Sequence, residues 1–206
     1  TIAAILEGGA SVCRDAGIPL AGGHSIDSVE PIYGLVAIGI VDPRQLKRNA
    51  DAQAGDVLIL GKPLGVGILS AALKKELLDA TGYAAMISAT TQLNRPGPDL
   101  AQLPGVHALT DVTGFGLLGH ALEMAKGAQL TACIDAAALP LLPGIQTFAE
   151  QGVVTGASGR NWAAYGEHAA LGEHTSPSHP AVLPHPPTSR TLPASCPPHT
   201  ATHFPE

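Results

Sequence analysis

Apolar residues at the start of the chain recur three and four positions apart: Ile2, Ile5, Leu6, Gly9, Val12, Cys13 and Ala16. That spacing predicts a helix with one apolar face, and Gly17 supplies its C-terminal stop. An extended piece, "IPLAGGHS", follows. "YGLVAIGIV" after it predicts a strand from its β-branched and aromatic content. Residues 43–55 are polar and turn-rich, which predicts a linker. Beyond them, "VLIL" reads as a short buried strand and "GVGILSAALKKELLD" as an amphipathic helix after a Gly/Pro turn. "YAAMISATTQLN" reads as a second helix ended by "RPGPD". "VHAL" predicts a strand, "GLLGHALEMAKGA" a helix, "LTACID" a strand and "GIQTFAEQG" a short helix. "VVTGASGRNWAAYG" reads as a loop. Strands alternating with helices predict an α/β (α+β) fold. The expected organisation is a first domain portion over 1–42, the linker over 43–55 and a second α/β domain over 56–166.

After Gly166 the periodicity stops. Residues 167–206 hold nine of the eighteen prolines and six of the nine histidines. Such a stretch cannot bury enough apolar surface to offset its ordering entropy, so it predicts a disordered tail. The abruptness of the change points to a shift of reading frame as one origin. A His-rich metal tract is the competing reading, but irregular histidines among prolines lack the compact spacing of a site. At the other end the chain begins with Thr1, already inside the helical pattern. The expectation is a fragment lacking an N-terminal portion.

Composition narrows the classes. Three Phe, three Tyr and one Trp are too few for an aromatic core, so Ala, Val, Ile and Leu must build it. A formal net charge of −6 gives no nucleic-acid footprint. No run of about 18 apolar residues predicts a membrane span, and no basic n-region marks a signal peptide. Cys13, Cys133 and Cys196 are few, dispersed and odd in number, which suits a reducing cytosol better than a disulfide framework.

The chemistry concentrates in two stretches. In "TDVTGFGLLGH", Gly114-x-Gly116-x-x-Gly119 follows an apolar run, and Asp135 ends the next one about twenty residues on. That is the outline of a dinucleotide-binding fingerprint. Asp111 opposes it, because a carboxylate against a pyrophosphate repels unless a divalent cation stands between them. Asp111 is therefore a Mg²⁺ ligand at a strand end or, with Thr113, a helix N-cap. The glycines serve turn geometry or close packing in the second case. The other stretch is "AGGHSID", where backbone N–H groups at Gly22-Gly23 and the side chains of His24 and Ser25 form a phosphate cradle or simply a polar turn.

"AGGHSID" with "EPIYGL", then "LGKPLGVGIL", "TDVTGFGLLGHALEM", "LPLLPG" and "GRNWAAYG", resemble in order and spacing the selenophosphate synthetases (selenide, water dikinases). The resemblance covers about residues 1–166. It implies the two-domain fold shared with aminoimidazole ribonucleotide synthetases, thiamine-phosphate kinases and hydrogenase-maturation dehydratases. It also implies ATP-dependent conversion of selenide and water to selenophosphate, AMP and phosphate. Asp111 would then bind Mg²⁺, and Gly23, His24 and Ser25 would contact ATP held largely by the other subunit of a homodimer. One helix terminus offers only about half a positive charge, so a cation must do most of the neutralising of two phosphates. The family's nucleophilic Cys or selenocysteine, its neighbouring Lys and two further Asp ligands have no counterpart here. Cys13 and Cys133 read as core thiols, Lys62 as a solvated charge, His107 as a surface residue and His120 as a packed helix residue. The chain is accordingly expected to be inactive alone. The alternatives are another ATP-dependent enzyme of the same superfamily, an NAD(P)-binding domain, or a non-catalytic fragment.

Overall fold

The computed structural model describes residues 1–170 and 193–198. It divides into two compact units, Thr1–Arg44 and Gln45–Glu206. In the first, helix α1 (Ile2–Ala16) follows the expected apolar face. Gly17, left-handed at φ +71°, closes it by donating its N–H to the Arg14 and Cys13 carbonyls. Gly9 and Cys13 are its buried positions, and a methyl at Gly9 would meet the Tyr33 ring. The strand expected over residues 33–41 is not formed. β-Branched residues favour an extended backbone, but a strand also needs a ladder partner. Among the described residues this run has none, and Val36, Ile38 and Ile40 stand 90–105% exposed.

The second unit is built around a three-stranded sheet: β1 (Val57–Leu60), β2 (Ala108–Leu109) and β3 (Pro193–Cys196), in the order β1-β3-β2, all antiparallel. Val57 pairs with Cys196, and Ala108 with Ser195. β3 lies inside the stretch expected to be disordered, and residues 193–196 correct that expectation. Three small residues, Ala194, Ser195 and Cys196, fit the sheet centre with 0% exposure. The Ser195 carbonyl accepts the His107 N–H at 2.9 Å, and its hydroxyl accepts the Ala108 N–H at 3.2 Å. The rest of the tail reading, residues 171–192 and 199–206 with its His-rich metal alternative, lies outside the described residues.

The helices of this unit pack largely on one another. The apolar run after Gly65 forms α2 (Val66–Lys74), shorter than expected. Glu76 turns left-handed, and Asp79 caps a new helix, α3 (Ala80–Thr91), by accepting the Gly82 N–H at 2.7 Å. Ile68 and Leu69 of α2, Met86 and Ala89 of α3, and Ile145 and Ala149 of α6 (Ile145–Glu150) form one core. Full burial of a side chain such as Ile68 or Leu69 contributes roughly 1.5–3 kcal/mol. α3 ends at Thr91, ahead of the expected stop at "RPGPD", which instead starts a short helix, α4 (Gly97–Gln102). A proline in the first turn forfeits no helical hydrogen bond there.

Helix α5 (Gly116–Ala128) takes the bounds read from the sequence. "LTACID" does not form a strand; residues 130–135 are irregular. The segment read as a loop contains helix α7 (Gly156–Tyr165). The expected linker is structured too, and from Gln45 it belongs to the second unit. The Asn49–Asp51 turn packs on α5, where Ala50 lies so close to Gly127 that a β-carbon there would collide. Among the described residues no helix is long and apolar enough to cross a membrane.

Candidate functional site

The strand–turn–helix unit from β2 to α5 carries Asp111. Val112, fully buried, packs with Leu64 and Leu117 and anchors the chain just after the sheet. Alternation then sends Asp111 outward. Its carboxylate is exposed and has no hydrogen-bond or ionic partner among the described residues.

The turn after it is held at successive peptides. The Thr113 N–H donates to His120 Nε2 at 3.1 Å, and the Gly116 N–H to the Thr113 carbonyl at 3.0 Å. Asn161 Nδ2 donates to the Gly114 carbonyl at 2.9 Å, and the Tyr165 hydroxyl to the Phe115 carbonyl. Burial pushes the Tyr165 phenol up to about 12, so the hydroxyl stays a donor.

This geometry removes two of the open readings. The N-cap of α5 is Phe115, with no side-chain cap, so neither Asp111 nor Thr113 serves as one. The dinucleotide fingerprint also fails. It needs a parallel strand–helix–strand unit, whereas β2 pairs antiparallel and residues 130–135 are not a strand. Asp135 instead caps a short turn by accepting the Ala137 N–H at 3.0 Å. Two of the three glycines have a geometric cause. Gly116 holds φ +74°, and a β-carbon on Gly119 would collide with Phe115 and the Tyr165 ring. Gly114 has open space around it.

Asp111 fits a cation ligand of one kind. Mg²⁺ is commonly held by one or two carboxylates, with waters and substrate phosphate oxygens completing the shell. A single exposed, unpaired carboxylate meets that need. No group of three His, Cys, Asp or Glu able to enclose a metal occurs among the described residues.

Gly23, His24 and Ser25 lie in the first unit, in an extended exposed run. The two side chains have no hydrogen-bond partner among the described residues. Asp111 belongs to the second unit.

Several other expectations need correction. Lys62 is not a solvated charge. It is 6% exposed, its Nζ donates to the Gln92 carbonyl at the end of α3 at 2.5 Å, and burial lowers its pKa. His107 is half-buried, with Nδ1 2.9 Å from the Asp56 carboxylate. Cys13 is buried as read, but Cys133 is exposed, because the strand expected to bury it is absent. His120 is packed as read. Its bond to the turn, and those of Asn161 and Tyr165, carry no local sequence signal beyond the recurrence of "TGFGLLGH" and "GRNWAAYG" in the resemblance.

The family model described as AIR synthase related protein, C-terminal domain, matches residues 53–164, and the N-terminal domain model matches residues 1–41. The chain belongs to the AIR synthase related proteins. Its fold is theirs: a crystal structure of E. coli HypE aligns with a TM-score of 0.54 at 21% identity, covering 77% of this chain and 40% of that one. Among curated members, the chain is similar to a selenide, water dikinase of Pseudomonas straminea, 73% identical over 195 residues, covering 95% of this chain and 55% of the relative. It is also similar to one of Burkholderia orbicola (strain MC0-3), 68% identical over 198 residues, covering 96% and 56%. This AIR synthase related chain thus spans about half the length of the curated relatives it matches.

Proposed function

We propose that this chain is the part of a selenide, water dikinase that contributes one metal-binding carboxylate and one set of nucleotide contacts. The overall reaction is ATP, selenide and water to selenophosphate, AMP and phosphate. The reading rests on the identity to selenide, water dikinases, and within the structure on one observation: Asp111 is exposed, unpaired and seated on a turn fixed by its neighbours. Asp111 would hold Mg²⁺, which when bound neutralises charge on the phosphate oxygens. Gly23 would offer a backbone N–H, and His24 and Ser25 side-chain donors, to ATP bound chiefly by a second subunit of a cytoplasmic homodimer.

No described residue of this chain supplies a nucleophilic thiol beside a lysine. Cys13 and Cys196 are buried, exposed Cys133 lies on an irregular segment, and Lys62 is bonded to α3. Phosphoryl transfer depends on positioning and electrostatics, so a chain with one of several charged groups does not turn over by itself.

The test is ³¹P NMR of the chain with ATP, Mg²⁺ and selenide, beside electron paramagnetic resonance titration with Mn²⁺ and ATP. The expectation is no selenophosphate resonance above the protein-free control, and Mn²⁺–ATP binding weakened at least tenfold by Asp111→Asn. A selenophosphate signal from the unmodified chain overturns the inactivity. Unchanged Mn²⁺–ATP binding in the variant overturns the metal role.

A further inference from the structure

The turn from Asp111 to Gly116 has little in its own sequence to hold it still. It contains a glycine in open space and another at positive φ, and it leads into a helix with no side-chain cap. Glycine gives a backbone the most freedom to lose. Yet the backbone of three consecutive residues, Thr113 to Phe115, is bonded to side chains from elsewhere. His120, one turn into α5, takes the Thr113 N–H. Asn161 and Tyr165 take the carbonyls of Gly114 and Phe115. The latter two are four residues apart on α7, and so share one face of that helix. All three bonds go to backbone atoms and so fix the path of the turn; His120 Nε2 also stands 3.3 Å from the Thr113 hydroxyl, the one side chain of the turn it meets.

His120 adds a second observation. Its Nε2 accepts the Thr113 N–H, so in the neutral ring the proton sits on Nδ1. Nδ1 is buried without a hydrogen-bond partner, and Glu123 Oε2 stands 3.6 Å away. A buried unsatisfied donor costs stability and calls for an explanation. What Nε2 does for the turn supplies one.

We propose that His120, Asn161 and Tyr165 form a clamp whose task is to position Asp111 for a divalent cation bound with a nucleotide phosphate. This rests on the metal role of Asp111 given above. Mg²⁺ demands near-ideal octahedral geometry and short ligand distances. A carboxylate on a mobile glycine turn would spend little time in register, whereas one bracketed by buried Val112 and three pinned peptides is set in advance. The three are positioning residues and touch no reacting atom.

The experiment measures two quantities on the full chain: amide hydrogen exchange at Thr113 and Gly116, and Mn²⁺–ATP affinity by electron paramagnetic resonance. The variants are Asn161→Ala, His120→Leu, His120→Gln and Tyr165→Phe, with Asp111→Asn as reference. The glutamine amide oxygen can replace Nε2 as the acceptor. Tyr165→Phe removes only a hydroxyl, and so keeps the test alive if a larger change fails to fold.

The expected result is exchange at least tenfold faster and affinity threefold to tenfold weaker in Asn161→Ala, His120→Leu and Tyr165→Phe, with both restored in His120→Gln. Unchanged exchange overturns the clamp. Faster exchange with unchanged affinity, while Asp111→Asn abolishes binding, makes the bonds purely structural and overturns the positioning role, as does failure of His120→Gln to rescue. If Asp111→Asn binds Mn²⁺–ATP as tightly as the unmodified chain, the metal reading falls and the purpose assigned to the clamp falls with it.

Discussion

Gly116 sets what the candidate site tolerates. At φ +74° an L side chain crowds the following carbonyl, at a cost of about 1–2 kcal/mol. Gly116→Ala should therefore lower Tm by roughly 2–8 °C in a scanning calorimeter, since about 1 kcal/mol moves a protein of this size by about 2–4 °C. Tyr165 gives a second residue-level expectation. Its phenol is raised from 10.0 to about 12, so the unfolded chain loses this proton first. Its contribution is complete below about 10 and declines as pH rises from about 10 toward 12. In an absorbance titration at 295 nm, one of the three tyrosines should ionise near 12, and Tyr165→Phe should delete that step. Asp111 could be picked out of the sequence because a carboxylate before a glycine turn is at odds with an NAD site on elementary electrostatics. His120, Asn161 and Tyr165 could not, because each is bonded to a backbone atom that becomes its neighbour only in the folded chain.

Helix α5 could be delimited from the sequence because apolar residues recur at helical spacing from Leu117 to Ala125. α7 could not. Gly156 and Gly159 dilute its helical signal, and it is held by bonds to the turn and by packing on α5. The β-branched run at 33–41 misled in the opposite sense, being rich in strand propensity without a partner among the described residues. The Lys62 contact with α3 has a consequence for pH. Its lowered value means the folded state gives up the proton before the unfolded state does. Stability gains as pH climbs from that lowered value toward the ordinary lysine value. The difference in urea midpoint between the unmodified chain and Lys62→Met should shift in favour of the unmodified chain as pH rises toward 10.5, the ordinary lysine value.

On the scale of the whole molecule, β1 and β2 were legible as strands, but the strand that joins them was not. That central strand, Pro-Ala-Ser-Cys, has no alternation of large apolar and polar residues and sits among prolines. Its two partners bond to it, and it lies between them in the sheet order. Thiol reactivity tests this placement. With Ellman's reagent at neutral pH, exposed Cys133 should react first. Cys196 should react only on unfolding, being fully buried, with its thiol pushed up by burial and by the charge of Asp56. Rapid modification of Cys196 in the folded chain would remove β3 from the sheet.

The order of that sheet also governs how the protein can be made. β1 and β2 leave the ribosome well before the strand that joins them. At about 5–20 residues per second, the roughly 80 residues from Leu109 to Pro193 leave both strands without a partner for roughly 4–16 s. During that interval the nascent chain displays two open edges and the apolar faces meant to cover them, which is when a chaperone would be most needed. A stop codon ahead of Pro193 would make the interval permanent, leaving a product that holds every residue of the Asp111 turn but no ladder beneath it.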